Sequence, residues 1–500
     1  MAAAVYSVSW SSPPCPMIPS RSPAMRRLRF ILPEAESSER RIRMKTSHYR
    51  PEIHFTAKEG WINDPNGLVY ENGNYHLFAQ FYPGPVWGPM HWYHAVSRDL
   101  IHWEHLPVAM APDELGYIYS GSAVIDTDNT SGFGEDGKPP MIAMFTHHWE
   151  EEGVPTNRHE QQSIAWSTDY INFHKYEGNP IIPSNMPDFR DPKVFKNPKG
   201  GWSVVMSGGD RALFYASDDL KNWRKTGEFG PEGNYSGGVW ECPDFFPLTV
   251  NGEEKWVLLV SMGPFHDNHG SRTQYFVGDF DGEKFICDGR FDKPEFIDEG
   301  FDNYASVSYA GTDKCILVGW ASNWVYAREI PTEEEGFRSC MTLAREFSLA
   351  DTPLGGVRIA QKPITGEVFD EGKPSDGTLP GELFRLTVRG EGAGSVTLKN
   401  GNGESFTFGV NENNEMYIDR SNAGQKDFNA EFGTEWFSKY ATGRLYQGSW
   451  EMDLIFDHEL TELFIDGGTR ALTNLVFPTA PYDQIETSGN ASVTVHNGKA

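Results

Sequence analysis

Residues 97–103 (SRDLIHW), 167–173 (STDYINF) and 217–223 (SDDLKNW) repeat one pattern: a serine two positions before an aspartate, and an aromatic residue four positions after it. Residues 279–285 (DFDGEKF) are a degenerate fourth copy. The intervals between the aspartates, 70, 50 and 60 residues, suit one four-stranded sheet each, and short strands separated by Gly, Pro, Asn and Asp fill them. In an all-β sequence, repeats of this size predict a propeller with a central funnel. The alternative is chance recurrence of a common turn.

The repeats divide the chain into regions. We assign residues 51–345 to the propeller, which is the expected catalytic domain. Residues 346–375 are rich in Gly and Pro and are typical of a linker. From 376 to 500 the strands alternate apolar and polar residues, as at 383–388 and 449–456, which predicts a β-sandwich. This region has no dense set of titratable residues beside turn glycines, so we expect an accessory role for it.

Composition and charge exclude several classes of protein. The 500 residues are 38% hydrophobic, enough for a large core, and no run approaches the roughly 18 apolar residues of a membrane span. A net charge of -27 makes nucleic acid and anionic membrane surfaces poor partners, so a neutral small molecule or oligosaccharide is expected. The five cysteines are scattered and form no CxxC pair, which argues against a disulfide framework or a zinc site.

The first fifty residues stand apart in composition. They hold nine Lys or Arg and three Asp or Glu, a net charge of +6, whereas the remaining residues carry -33. Residues 26–33 (RRLRFILP) offer only a fragment of the apolar core that a signal peptide needs. We therefore expect residues 1–50 to be a disordered leader or a mis-assigned start, with Met44 as a candidate first residue. This favours a cytoplasmic location over secretion.

Three segments place a carboxylate among aromatic residues and prolines: residues 61–67 (WINDPNG), 189–193 (FRDPK) and 239–244 (VWECPD). Any one of them could be a simple turn, because Asp-Pro is a common turn initiator. Their joint occurrence in one all-β domain favours a site. Proline fixes the backbone of each acid, and apolar neighbours can raise the pKa of an acid that must hold a proton near neutrality. Asp64, Asp191 and Glu241 are therefore the candidate catalytic residues.

These segments, in this order, resemble the signature motifs of glycoside hydrolase family 32, the invertase, inulinase and levanase group of β-fructofuranosidases. Further blocks also look like family sequence, among them residues 75–78, 99–103, 119–122, 300–305 and 472–478. The resemblance covers about residues 51–500. It implies a five-bladed β-propeller followed by a β-sandwich, with the active site in the propeller funnel.

The resemblance also implies a retaining hydrolysis that releases terminal non-reducing β-D-fructofuranosyl units from sucrose or short fructans by double displacement. Asp64 would be the nucleophile and Glu241 the general acid and then base. Asp191 would bind fructose hydroxyls and stabilise the positively charged transition state. Two alternatives remain open: a fructosyltransferase on the same substrates, and a sugar-binding propeller without activity, although the latter would be expected to lack at least one of the three acids.

The same family pattern places further side chains around the substrate. The expected substrate-binding residues are Asn63, Gln80, Trp87, Arg190, Ser122 and Trp61, with Trp240 as another candidate for an apolar wall. For each tryptophan the alternative is a place in the propeller core. Cys242 beside the acid/base is interpreted as a small buried residue. This sequence differs from the usual family blocks at residues 81–83 and 93–95, which are expected on the rim of the pocket. The resemblance therefore does not imply which leaving group is preferred.

No metal or cofactor is expected. His147 and His148 lie near Glu150, Glu151 and Glu152, but adjacent side chains on a strand point to opposite faces, so a solvated acidic loop is the favoured interpretation. The sequence leaves the oligomeric state open.

Overall fold

The computed structural model describes residues 48–151, 154–234, 237–265, 269–289 and 294–499. Regular structure in these ranges is almost entirely β-strand, which confirms the all-β class. The exceptions within these ranges are a one-turn helix, α1 (Glu435–Ser438), and 3₁₀ turns at Pro331–Glu335 and Asp466–Gly468. Among the described residues, no helix is long and apolar enough to cross a membrane.

Four antiparallel sheets follow one another along the first half of the chain, each built from consecutive strands. The first has β1 (Gly60–Glu71), β2 (Asn74–Tyr82), β3 (His91–Ser97) and β4 (Trp103–His105). The second has β5 (Tyr117–Ile125), β6 (Met141–Glu151), β7 (Val154–Ser167) and β8 (His174–Lys175). The third has β9 (Phe189–Lys196), β10 (Trp202–Gly208), β11 (Ala212–Ser217) and β12 (Arg224–Phe229). The fourth has β13 (Trp240–Val250), β14 (Glu253–Phe265), β15 (Gly270–Phe280) and β16 (Phe285–Cys287).

A fifth sheet uses part of the segment predicted to be a linker. The strands of this region are β17 (Tyr304–Ser308), β18 (Ile316–Ala321), β19 (Phe337–Arg338), β20 (Cys340–Met341), β21 (Arg345–Thr352) and β22 (Gly356–Pro363). The sheet order is β17-β18-β21-β22, β20 pairs with β18, and β19 joins the first sheet parallel to β1. The linker prediction for 346–375 is therefore wrong over 346–363. Its glycines mark the turn of the β21–β22 hairpin, where Gly356 has φ 69°.

The repeated sequence pattern forms the turn between the third and fourth strands of four sheets. Oδ1 of Asp99 accepts hydrogen bonds from the backbone N–H groups of Ile101 and His102, and Asp169 and Asp219 do the same two and three residues ahead. In the degenerate copy the equivalent acceptor is Asp281 rather than Asp279. The repeat is therefore structural, because the aspartate organises the local backbone of each turn.

The first strand of each sheet contacts the first strands of the sheets before and after it. The contacts run from β1 to β5, to β9, to β13, to β17, and from β17 back to β1. Large buried side chains such as Trp61, Trp202 and Trp240 fill the space between neighbouring sheets. The five first strands therefore face a shared centre.

The remaining strands form two antiparallel sheets packed face to face, as the predicted β-sandwich requires. They are β23 (Lys373–Pro374), β24 (Leu383–Glu391), β25 (Gly394–Lys399), β26 (Ser405–Val410), β27 (Glu415–Asn422), β28 (Lys439–Gly443), β29 (Ser449–Asp457), β30 (Leu460–Ile465), β31 (Arg470–Leu475), β32 (Gln484–Gly489) and β33 (Ser492–Asn497). One sheet has the order β23-β33-β24-β29-β30-β31 and the other β28-β27-β26-β25-β32.

Buried ion pairs join the sandwich to the first domain. Arg420 on β27 donates to Asp302 Oδ2 at 2.7 Å and to the Tyr326 hydroxyl at 2.9 Å. Arg345 at the start of β21 lies 2.9 Å from Asp298 and 3.2 Å from Glu462. All of these charged side chains are nearly inaccessible to solvent. Removing one partner of such a pair would leave a buried charge uncompensated, which is costly. We therefore expect these pairs to hold the two domains in a fixed arrangement.

The predicted leader falls almost wholly outside the described residues, which begin at 48. Its last three positions belong to the packed domains. Tyr49 is buried, its ring meets Phe477 edge-on at 5.5 Å, and the backbone N–H groups of His48 and Tyr49 donate to the Glu335 carboxylate. Residues 48–50 therefore do not belong to the predicted leader. A composition averaged over fifty residues does not reveal a short apolar contact such as that of Tyr49.

Candidate active site

The three candidate acids line one cavity. It has a volume of about 380 Å³ and lies where the first strands converge. Its walls are Asn63, Asp64, Gln80, Trp87, Tyr119, Ser120, His148, Arg158, Glu160, Arg190, Asp191, Glu241, Gly263, Pro264, Trp324 and Arg328. Of the predicted site residues, Asn63, Asp64, Gln80, Trp87, Arg190, Asp191 and Glu241 are therefore brought together.

Each first strand carries a one-residue bulge at the level of this cavity. Two residues of the strand lie opposite one residue of its partner at 63–64, 119–120, 191–192, 242–243 and 305–306. A bulge interrupts the alternation of side chains and redirects them, and bulges are common beside active sites. The prolines at 65, 192 and 243 lie in or next to these bulges, so the sequence itself specifies where the ladder breaks.

Asp64 lines the cavity with one carboxylate oxygen held by a hydroxyl group and the other buried. Its Oδ2 accepts a hydrogen bond from the Ser120 hydroxyl at 2.8 Å. Its Oδ1 is buried and makes no hydrogen bond to any described residue. Burial raises the pKa of Asp64, and the neighbouring Asn63 amide and Ser120 hydroxyl act in the opposite direction. A carboxylate oriented in this way at the wall of a cavity is suited to nucleophilic attack.

Asp191 lies beside Asp64 in a strained backbone. Its φ is 63°, its side chain is 6% exposed, and its Oδ2 accepts the backbone N–H of Cys242 at 2.9 Å. The Cys242 sulfur lies 3.5 Å from Asp64 Oδ2 and 3.7 Å from Asp191 Oδ2, so it joins the two carboxylates. Burial raises the pKa of Asp191 to about 7, the Arg190 guanidinium opposes this, and the charge of Glu241 adds to it. The site thus concentrates negative charge that a cationic transition state would neutralise.

Both oxygens of Glu241 have hydrogen-bond donors. Arg190 Nη2 donates to Oε1 at 2.9 Å, and the Tyr304 hydroxyl donates to Oε2. Glu241 is 27% exposed, more than Asp191, so it borders the open side of the cavity. This placement suits a group that exchanges protons with a leaving group and with water. Tyr304 lies in a stretch already singled out as family sequence, but nothing in that stretch assigned it to the site.

Two carboxylates, those of Glu160 and Asp188, hold the Arg190 guanidinium in place. Its Nη1 donates to Glu160 at 3.0 Å and to Asp188 at 2.8 Å. Burial tends to raise the pKa of Glu160, but Arg190 and His148 outweigh it and lower that pKa to about 2. The His148 ring stacks on Tyr119 with centroids 4.2 Å apart. A permanently ionised Glu160 therefore fixes the guanidinium that orients Glu241.

Three predicted residues do not reach the cavity. The Ser122 hydroxyl bonds to Pro192 O and Val194 N at 2.8 Å, beneath the floor, and Ser120 occupies the expected place instead. Trp61 and Trp240 are fully buried in the apolar cores. Trp61 acts indirectly, because its indole N–H donates to Asn63 Oδ1 at 2.8 Å. The apolar cavity walls are Trp87 and Trp324.

The two adjacent histidines do not lie in a solvated loop. Both are on β6 and buried, and they point to opposite faces as expected for a strand. His147 bonds to Ser163 at 2.7 Å, and His148 bonds to Glu160 at 3.1 Å and borders the cavity. The loop prediction is wrong because the strand continues to Glu151. Within the described residues, no group of three or more His, Cys, Asp or Glu is arranged to hold a metal ion.

The arrangement is that of a glycoside-cleaving site. One carboxylate is oriented by a serine hydroxyl, a second carboxylate is oriented by donors at the cavity opening, and a third adds charge between them. Glycosidases use such pairs of carboxylates as nucleophile and acid/base. Amide, guanidinium and aromatic side chains beside them provide hydrogen bonds and apolar faces for a sugar ring.

The chain belongs to the glycosyl hydrolases family 32. The model of the family's N-terminal domain matches residues 54–363, and that of its C-terminal domain matches 365–500. The chain is 40% identical to a levanase of Bacillus subtilis, over 86% of this chain and 66% of that protein. It is 34% identical to the extracellular exo-inulinase of Aspergillus niger, over 90% of this chain and 94% of that protein.

Solved structures of the family are also similar. An exo-inulinase from Aspergillus awamori superposes with a TM-score of 0.82 at 31% identity, covering 91% of this chain and 99% of that one. A β-fructofuranosidase from Schwanniomyces occidentalis, complexed with fructosyl-erythritol, gives a TM-score of 0.79 at 29% identity and covers 90% and 98%. The boundary between the family domains agrees with the end of β22.

Proposed function

We propose that the protein is a retaining β-fructofuranosidase that releases terminal non-reducing β-D-fructofuranosyl units from sucrose or fructans. The observation that carries the proposal is the convergence of Asp64, Asp191 and Glu241 on one cavity. The levanase, exo-inulinase and invertase relatives support the substrate class. The neighbour complexed with fructosyl-erythritol supports a fructosyl unit as the group bound.

The first chemical step transfers the fructosyl unit to the protein. A carboxylate oxygen of Asp64 attacks the anomeric carbon, the bond from this carbon to the glycosidic oxygen breaks, and Glu241 gives its proton to that oxygen. The leaving alcohol departs and a fructosyl ester of Asp64 remains. The hydrogen bond from the Ser120 hydroxyl to Oδ2 fixes the orientation of the Asp64 carboxylate.

The second step hydrolyses the ester. Ionised Glu241 takes a proton from a water molecule, and the water oxygen attacks the anomeric carbon on the side that the leaving group vacated. The bond to Asp64 breaks, and fructose leaves with its original configuration. Arg190 and Tyr304 hold the Glu241 carboxylate for both proton transfers.

Asp191 makes no bond to the substrate carbon in this scheme. Its charge stabilises the positively charged sugar ring in both transition states, and its free oxygen is available to ring hydroxyls. The Arg190 guanidinium, 3.8 Å away, favours the ionised form that this role needs.

The five consecutive sheets support a five-bladed propeller as the architecture of the catalytic domain. The closed sequence of contacts among the first strands and the bulge repeated in each of them favour five equivalent blades around the cavity. In this arrangement the three acids come from the first, third and fourth blades, and Ser120 comes from the second. The fifth blade supplies Trp324 to the cavity wall and Tyr304 as a donor to Glu241.

A product assay of the purified full chain tests the proposal. Sucrose, kestose, inulin and levan are incubated with the protein, and products are identified by chromatography. The proposal predicts free fructose as the main product, with none formed by Asp64→Ala. Oligosaccharides in excess of fructose at high sucrose would assign the protein as a fructosyltransferase. Binding of these sugars without any product would assign it as a sugar-binding relative.

A further inference from the structure

A second cavity lies on the sandwich, outside the catalytic site. It is a groove of about 1160 Å³ over the outer face of the sheet β28-β27-β26-β25-β32, and it ends against α1 and His269. No described residue lines both this groove and the catalytic cavity. We call it the sandwich groove.

Small side chains form a path across the sheet in the sandwich groove. Tyr417 on β27 is paired in register with Ala441 on one side and with Gly409 on the other, and the row continues through Ser395 to Ser488. The hydroxyl groups of Ser395 and Ser488 bond to each other at 2.7 Å. Tyr417 is the one bulky residue of this row, so its ring borders an open path lined by hydroxyl groups.

An aromatic wall closes the end of the groove nearest the propeller. Trp436 is 40% exposed and stacks on His269 with centroids 4.0 Å apart. The Tyr440 ring meets His269 edge-on at 5.1 Å, and its hydroxyl donates to Glu299 of the first domain at 2.8 Å. His269 Nδ1 is also 2.8 Å from the carbonyl oxygen of Trp436. The wall is held from both domains, and part of the Trp436 ring remains exposed to solvent.

One hairpin connects the two cavities. Gly263 and Pro264, near the end of β14, line the catalytic cavity, and His269, just before β15, lines the sandwich groove. Five residues span at most about 18 Å even when fully extended. The two sites are therefore close enough for one oligosaccharide chain to contact both.

The chemistry of the groove favours a neutral carbohydrate. The exposed Trp436 ring and the half-buried Tyr417 ring offer apolar surface to the C–H groups of sugars, and hydroxyl groups such as that of Ser395 suit sugar hydroxyls. Asp419 and Lys439, whose charged groups lie 3.5 Å apart, add a charged pair that can exchange hydrogen bonds with a sugar. The net charge of -27 disfavours anionic ligands.

We propose that the sandwich groove is a non-catalytic binding site for fructan chains, which holds the polymer while its terminal unit occupies the catalytic cavity. The proposal rests on the proposed function for the identity of the sugar. A chain long enough to reach both sites would gain affinity from the groove, whereas sucrose would not.

The test compares polymer and disaccharide on groove variants of the full chain. Trp436→Ala and Tyr417→Ala are measured with levan, inulin and sucrose, beside Ile286→Ala as a control, because Ile286 is an exposed apolar residue (63%) on the remote strand β16. We expect a roughly two- to tenfold rise in KM for at least one polymer, as for a lost aromatic contact, with the KM and kcat for sucrose unchanged. The levan and inulin arms identify which linkage the groove accepts.

A binding measurement keeps the proposal separate from the proposed function. Asp64→Ala is run in native gels containing levan or inulin, alone and combined with Trp436→Ala or Tyr417→Ala. If the polysaccharide slows the migration of Asp64→Ala, and Trp436→Ala or Tyr417→Ala abolishes this effect, the groove binds fructan. This result supports the proposed groove even if the parent protein hydrolyses none of the sugars. Equal retardation of all variants, together with an unchanged KM for the polymers, overturns the proposed binding site. A dimer seen in sedimentation that Trp436→Ala converts to a monomer also overturns it, because the groove would then be a subunit interface. Melting curves identify any variant that fails to fold.

Discussion

The Tyr304 hydroxyl donates a hydrogen bond to Oε2 of Glu241, so the fifth sheet orients an acid carried by the fourth. Tyr304 is 1% exposed, and burial, together with the charge of Glu241, raises the pKa of its phenol well above 10. The phenol therefore remains a donor over the whole working pH range. Because Arg190 donates to Oε1, both carboxylate oxygens of Glu241 are held by hydrogen bonds.

Tyr304→Phe removes this donor without changing the shape of the core. We expect kcat to fall by about ten- to a hundredfold with little change in KM, since a hydrogen bond to a charged group is lost and the sugar contacts remain. Tyr309→Phe is the matched control: its hydroxyl is buried and has no partner among the described residues. Equal kinetics for Tyr304→Phe and the parent protein would mean that the bond does not position the acid.

Ser120→Ala tests the orientation of Asp64. The Ser120 hydroxyl lowers the pKa of Asp64, so its removal raises that pKa and moves the acidic limb of kcat/KM to higher pH. We also expect a roughly tenfold or greater loss of kcat. Ser122→Ala is the control, because its hydroxyl holds the backbone beneath the floor: it should lower the melting temperature without moving the limb. An unshifted limb in Ser120→Ala would contradict this assignment.

Asp191→Asn tests the electrostatic cost of the site. Burial raises the folded-state pKa of Asp191 from 3.8 to about 7, so folding is disfavoured by its ionised form. This cost is fully present above pH 7 and absent below the unfolded pKa, near 4. We therefore expect the variant to be inactive but more stable than the parent by ~1 kcal/mol or more at pH 8, with no gain at pH 3.5.

Asp99 is a control whose pKa is shifted in the opposite direction to that of Asp191. Its burial is outweighed by hydrogen bonds from His102, Ile101 and Ser97, which lower its pKa to about 2. Asp99→Asn should lose stability at pH 8. Parallel melting curves at both pH values for Asp191→Asn and the parent would refute the proposed cost.

Azide distinguishes the roles of the two reacting acids. Asp64→Ala should lose at least about a thousandfold in kcat, and azide in the vacated space should yield the fructosyl azide of inverted configuration. Glu241→Ala, given a substrate with a good leaving group, should instead yield the azide of retained configuration, because the ester on Asp64 still forms. The configurations are read by NMR, and the same product from both variants would contradict the assignment.

The sequence predicts the acids but not every neighbour. Proline after Asp64, after Asp191 and after Cys242 marks the bulges, so these positions can be located without coordinates. The second bulge has no proline, and alternation along β5 cannot tell whether Ser120 or Ser122 faces the cavity. The bulge at 119–120 decides it.

Long-range partners are harder to predict. His148 and Glu160 lie on adjacent strands and both border the cavity, and Glu160 also holds Arg190; these contacts depend on the register of the strands. Buried carboxylates such as Glu160 resemble surface acids in sequence, since only the fold supplies their cationic partners. Gly and Pro at 353–356 are equally ambiguous, because a hairpin turn and a linker use the same residues.

Trapping the covalent intermediate shows directly whether Asp64 is the nucleophile. Glu241→Gln is mixed with β-D-fructofuranosyl fluoride, whose leaving group needs no proton, then quenched in acid, digested and analysed by mass spectrometry. If Asp64 is the nucleophile, a fructosyl adduct is expected on the peptide that contains Asp64 and is absent from Asp64→Ala. An adduct on Asp191, or free fructose of inverted configuration with no adduct, would contradict this role.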